Sequence, residues 1–245
     1  MTRPKIGITL DTHDDPDIYE SPYAYSKAIE RAGGLPLLIP YESELSLIPQ
    51  YVDEFDGILF TGGNDLDPAL YGQSWHPKAV RIDPHRQNFE LALLAEVEKR
   101  RLPTLGVCLG SQLMNVYRGG SMYQFLPDLT RPNSIEHRRI GNDLSRHNAM
   151  LDLSSQIGRA IGKPEISVNT YHKQAADRLG RGLRIIAKSP DGIIEGFEDP
   201  TFPLFAAVQW HPERLIDEPE HLAVFKLLVD ASGVATSKSR SGVMP

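Results

Sequence analysis

The sequence is poor in cysteine. Of 245 residues only Cys108 carries a thiol, so neither an intramolecular disulfide nor a cysteine-built metal cluster can form. No apolar run approaches the roughly 18 to 20 residues that a membrane span needs, and the opening MTRPKIGITLDTHDD holds no apolar signal core. Positive charge is also in short supply. There are 26 Lys and Arg against 32 Asp and Glu, and a net charge of −6 lacks the basic footprint of a nucleic-acid binder. These absences lead us to expect a reduced, cytoplasmic chain with neither nucleic acid nor membrane as a partner. The rest of the composition is that of a globular domain, with 40% hydrophobic and 24% charged residues and 20 Gly and 19 Pro spread along the chain. We expect one domain over residues 1–232, followed by a disordered tail over 233–245 that has little to bury.

Short apolar, β-branched runs alternate with stretches of helical period. Lys5–Leu10, Leu35–Pro40, Phe55–Thr61 and Pro103–Val107 read as strands. Between them Tyr23–Ala32 ends at Gly33-Gly34, a helix stop, and His85–Arg100 sets Phe89, Leu93 and Val97 on one face. Strand, helix, strand in that order predicts a doubly wound α/β domain with a mostly parallel central sheet, whose site lies at the carboxyl ends of the strands. The later third reads differently. Glu165–Thr170, Leu183–Ser189, Gly192–Glu198 and Leu204–Trp210 are strands joined by short turns such as Ser189-Pro190-Asp191-Gly192, which predicts antiparallel additions to the sheet. A last helix is expected over Glu218–Ser232.

The sharpest local feature is Gly106-Val107-Cys108-Leu109-Gly110-Ser111-Gln112, a strand running through a Gly-x-Cys-x-Gly turn into the helical stretch Gln112–Tyr117. A lone cysteine is ordinarily a small core hydrophobe. Glycines on both sides of a strand-to-helix turn change that reading, because they permit a crowded elbow that lifts the central side chain above the sheet, and the following helix favours the charged form of a thiol. A thiol nucleophile needs a base, and the base needs an orienting acceptor. Trp210-His211-Pro212-Glu213, at the end of an apolar strand, puts His211 and Glu213 two residues apart on one side of an extended chain. A third strand ends in Thr61-Gly62-Gly63-Asn64-Asp65, a loop whose amides can approach a substrate oxygen together with the N–H of Leu109. Read blandly, that loop is an ordinary turn.

Together these residues resemble the class I glutamine amidotransferase fold, and more closely the free-standing γ-glutamyl hydrolases of the peptidase C26 group, typified by γ-glutamyl-γ-aminobutyrate hydrolase. The likeness runs from Lys5 to about Ser232 and also draws on Tyr23 to Gly34, the Asp83-x-x-Arg86-x-x-x-Glu90 pattern and Asn169-Thr170-Tyr171-His172-Lys173-Gln174. It implies Cys108 as nucleophile, His211 as base, Glu213 as its orienter, and the amides of Gly63 and Leu109 for the oxyanion. It further implies that Gln112, Asn169, His172 and Gln174 contact substrate. Arg86, Arg118 and Lys173 are candidates for holding a substrate carboxylate, although surface solvation is the default for such charges. The chemistry asks for no metal or organic cofactor, its partner is a small γ-glutamyl compound, and a homodimer is compatible with it. One residue departs from the hydrolase pattern. Many such hydrolases carry Arg after the nucleophile, where this chain has Leu109, the usual residue of ammonia-delivering glutaminase domains. A glutaminase subunit serving a separate synthetase, and a non-catalytic binding protein on the same fold, therefore stand as alternatives.

Overall fold

Alternating apolar strands and amphipathic helices produce a nine-stranded mixed sheet between two helical layers. A computed structural model describes residues 2–13, 15, 17–41, 44–130, 133–138 and 145–241, of which 234–241 by backbone alone. The sheet strands in chain order are β1 (Lys5–Thr9), β2 (Leu35–Ile39), β3 (Gly57–Phe60), β4 (Thr104–Val107), β5 (Arg146–Leu151), β6 (Glu165–Asn169), β7 (Arg184–Lys188), β8 (Ile194–Glu198) and β9 (Phe205–Val208). Across the sheet they lie in the order β2-β1-β3-β4-β9-β8-β7-β5-β6. The first five are mutually parallel, and the pairs from β9 through β8, β7 and β5 to β6 are antiparallel, so the expected α/β class and the change of character in the later third are both present.

The helices are α1 (Tyr23–Ala32), α2 (Ile48–Glu54), α3 (Pro84–Arg100), α4 (Leu109–Tyr117), α5 (Gln156–Ile161) and α6 (Pro219–Ser241). One apolar layer joins a sheet face to α2, α3 and α4 through Val52, Phe89, Leu93 and Leu113. The other joins the opposite face to α1, α5 and α6 through Ile29, Ile157, Phe225 and Leu228. The helix stop at Gly33 is as expected: its φ is 96°, its N–H donates to Glu30 O, and Gly34 N–H donates to Ile29 O. Asp83 caps α3 through the amides of His85 and Arg86, with Pro84 in the first turn.

Four elements depart from the sequence reading. Strand β5 buries Ala149 and Leu151 in alternation but opens on Arg146, His147 and Asn148 and exposes Met150, so its residue types show no apolar alternation. Helices α2 and α5, at 7 and 6 residues, are too short to display a period. Helix α6 continues as backbone from Gly233 to Ser241, where a disordered stretch is expected. A single Gly in a segment free of proline costs about 1 kcal/mol, and a helix already nucleated by docked turns propagates through it. Residues 242–245 lie outside the described residues. Among the described residues no helix is long and apolar enough to cross a membrane.

Candidate active site

The ends of three adjacent parallel strands assemble the site. Phe60 pairs with Gly106, and Val107 with Val208, so the loops after β3, β4 and β9 leave the sheet side by side. Cys108 is the first residue past β4. Its N–H donates to Val208 O at 2.9 Å, and Gly110 N–H donates to Thr61 O at 3.0 Å, which fastens the elbow to both neighbouring strands.

Cys108 has φ 53° and ψ −106°, outside the regions that L-residues favour, at a cost of about 1–3 kcal/mol borne by the surrounding packing. The flanking glycines are required by close approach. A Cβ on Gly110 would lie 2.3 Å from Phe60 O, and one on Gly106 would lie 2.8 Å from the Gly110 carbonyl carbon. Helix α4 starts at Leu109, so its first amides, which have no intrahelical acceptor, begin directly behind the sulfur. A Cβ on Gly63 would touch Leu109 Cδ2 at 2.9 Å, which puts the Gly-Gly loop against the elbow.

His211 and Glu213 form the expected pair, with Nδ1 to Oε1 at 2.7 Å and both side chains buried. Burial alone lowers the basicity of His211. The Glu213 carboxylate and the Cys108 sulfur outweigh it and push the pKa up to about 10, so the ring is an imidazolium at neutral pH. Its edge faces the same space as the nucleophile: a Cβ on Gly62 would lie 3.0 Å from His211 Cε1 and 3.7 Å from Cys108 Cβ. Gly62 N–H donates to the Tyr25 hydroxyl of α1 at 3.0 Å. A cleft of about 230 Å³ opens over this group, lined by Gly62, Gly63, Asn64, Cys108, Tyr171 and Arg214 among others. Another, of about 300 Å³, lies against Leu126, His137 and Asp191, and Cys108 is not on its wall.

The residues implied as substrate contacts are already bonded within the chain. Arg86 is fully buried beneath the Gly-Gly loop. Its Nε donates to Glu90 at 2.8 Å, Nη1 to Asp11, and Nη2 to Gly62 O at 2.9 Å, and it is not on the cleft wall. Asn169 clamps the backbone of His211, with Nδ2 to its carbonyl at 2.8 Å and Oδ1 accepting from its N–H at 2.9 Å. Gln112 donates to Gln209 Oε1 at 3.3 Å, and Gln174 to Gln124 O at 3.1 Å. Both are buried and absent from the cleft wall. His172 lies in a separate histidine cluster. Arg118 pairs with Glu98 and Asp199, and Lys173 with Asp65, so neither reaches the cleft. Two residues go unseen in the sequence reading. Gln209, two residues before His211, aims Nε2 at Cys108 Sγ from 3.7 Å, and Arg214 lines the cleft with its guanidinium 5.1 Å from the Tyr171 ring. Their adjacency to the Trp-His-Pro-Glu segment is the signal that could have found them.

The sequence profile of the peptidase C26 family matches residues 4–213. This chain belongs to that family. A Mycobacterium tuberculosis chain provisionally named a glutamine amidotransferase is 36% identical, with 98% of this chain and 79% of that one aligned. The γ-glutamyl-γ-aminobutyrate hydrolase PuuD of Escherichia coli is 32% identical over 87% of both chains. Among solved structures, the glutaminase domain of Trypanosoma brucei CTPS with bound acivicin superposes with a TM-score of 0.66 over 94% of each chain at 14% identity, which is likeness of fold. Membership and the named hydrolase relatives support an amidohydrolase.

Proposed function

We propose that this protein hydrolyses the amide bond of a γ-glutamyl compound through a γ-glutamyl thioester on Cys108, releasing glutamate and an amine. The observation that carries the reading is the juxtaposition of Cys108, at positive φ on a strand-to-helix elbow, with an imidazolium held by Glu213. The Cys108 sulfur adds to the γ-carbonyl carbon, and the oxyanion is met by the amides of Gly63 and Leu109. As the C–N bond breaks, His211 gives its proton to the departing amine. Water then adds to the thioester carbon and returns a proton to His211, and the C–S bond breaks to free the second carboxylate of glutamate. Gln209 Nε2 donates toward the sulfur from 3.7 Å and helps to orient it. Arg214, at the mouth of the cleft, is placed to meet an acidic group on the substrate.

Leu109 favours a second reading on the same chemistry, a glutaminase that passes ammonia to a synthetase. The two differ in what must be present. A free-standing hydrolase is assembled as isolated, whereas an ammonia donor is commonly held inactive until its partner docks. Purified protein incubated with a panel of γ-glutamyl amides is expected to release glutamate unaided and to prefer a bulkier amine over glutamine. Silence on the whole panel, with glutamine hydrolysis only after a synthetase is added, would establish the second reading. Failure to label Cys108 with a glutamine-like chloroketone would leave the non-catalytic reading.

A further inference from the structure

Away from Cys108, four side chains from distant parts of the chain converge in the interior: His137 before the antiparallel strands, His147 on β5, His172 after β6 and Glu195 on β8. His137 Nδ1 and His147 Nε2 lie 3.4 Å from Glu195 Oε1, and His172 Nε2 lies 3.6 Å from it. One ligand atom from each residue falls within 4.8 Å of all the others. These separations are long for hydrogen bonds. The three nitrogen–oxygen separations are close to the roughly 3.3–3.4 Å edge of a tetrahedron whose centre is about 2.0–2.1 Å from each corner, the zinc to nitrogen distance, and the wider pairs of the set, up to 4.8 Å, draw inward on a shared ion.

The polar accounting points the same way. None of the three converging nitrogens has a hydrogen-bond partner, nor does either Glu195 oxygen, and all are buried. The opposite nitrogen of each ring is anchored. His147 Nδ1 meets Asn148 O at 3.0 Å, His172 Nδ1 meets Gln174 O at 3.0 Å, and His137 Nε2 meets the Asp191 carboxylate at 3.1 Å. A carbonyl or carboxylate there requires an N–H, which puts the lone pair of each neutral ring on the inward nitrogen. Three lone pairs and a carboxylate then face one point, all of them buried. Protonating one ring would satisfy one contact and leave two lone pairs against an anion, and protonating all three would set three cations on one carboxylate. A divalent cation satisfies all four at once, and Glu195 with Asp191 balances its charge.

We propose that His137, His147, His172 and Glu195 bind a divalent transition-metal ion, zinc being the ion this donor set fits best, and that the ion is structural. Three imidazoles and a carboxylate close a four-coordinate shell and leave no position for a reacting water. The ion ties β5 and β8 to the segment bearing Asn169, which holds His211, and Tyr171, which lines the cleft. The inference does not depend on the proposed hydrolysis. The sequence reading asks for no metal because the chemistry at Cys108 needs none.

The test is metal analysis of tag-free, full-length protein after dialysis. About one zinc per chain is expected, and substitution with Co(II) should give the visible bands of a four-coordinate site. A chelator should lower Tm, with zinc but not magnesium restoring it. His172→Gln and Glu195→Gln should abolish binding, and Asp191→Asn, which leaves the four ligands intact, should weaken it about 10- to 100-fold. Cys108→Ala must keep the metal. Protein that takes up neither zinc nor cobalt and whose Tm ignores both chelator and zinc would overturn the proposal, as would metal lost with Cys108 and not with Glu195.

Discussion

Asn169 and His211 are joined by two hydrogen bonds running in opposite directions, the Asn169 amide group donating to the His211 carbonyl and accepting from its N–H. The side chain of one strand end thus reproduces a backbone pairing with the loop that carries the base. Asn169→Ala removes both bonds and leaves two buried backbone groups unpaired. We expect kcat on a γ-glutamyl amide to fall about tenfold or more with KM little changed, because Asn169 holds the His211 backbone and does not line the cleft. A rise in KM at constant kcat, measured by steady-state kinetics, would mean that Asn169 binds substrate instead.

Arg86 supplies a second prediction. Its guanidinium is buried with Glu90, and removing it strands that carboxylate in the interior. Arg86→Met should cost about 3–5 kcal/mol in urea unfolding, and Arg86→Lys should recover little, since an ammonium cannot serve Glu90, Asp11 and Gly62 O together. A loss below about 1 kcal/mol would show that the network under the Gly-Gly loop does not hold it.

The elbow and the His211–Glu213 pair were legible because each is written locally: two glycines around Cys108, and two residues of separation at a strand end. The roles of Arg86, Gln174 and His172 were not. Each has the chemistry of a substrate contact, but its partners lie up to 75 positions away, as with Arg86 and Asp11, and only the fold decides whether its polar atoms are already engaged. The histidine cluster was hidden for the same reason. Residues 137, 147, 172 and 195 follow no ligand spacing, and antiparallel strands bring them together. In the fold, the parallel strands announced themselves as apolar runs, whereas β5 opens on three polar residues and sets Met150 outward, so its alternating burial is not legible from residue type.

The raised basicity of His211 fixes the sign of the pH dependence. Folding raises its pKa from 6.5 to about 10, so the group contributes stability that is fully present below pH 6.5 and is lost as pH rises through about 10. The same proton is needed on the leaving amine. We therefore expect kcat/KM to hold through neutral and mildly alkaline pH, with its alkaline limb approaching pH 10, and Glu213→Gln to move that limb downward and cut kcat by about 10²–10⁴. An alkaline limb centred near 6.5 in the unaltered protein would show an imidazole free of Glu213.

The covalent role of Cys108 is tested most directly by rapid acid quench of the protein turning over a γ-glutamyl amide, followed by intact-mass and peptide mass spectrometry. The account predicts a glutamyl adduct on the peptide bearing Cys108, absent from Cys108→Ala, which should fold normally and release no glutamate. Turnover by Cys108→Ala, or a glutamyl adduct on any other residue, would contradict it.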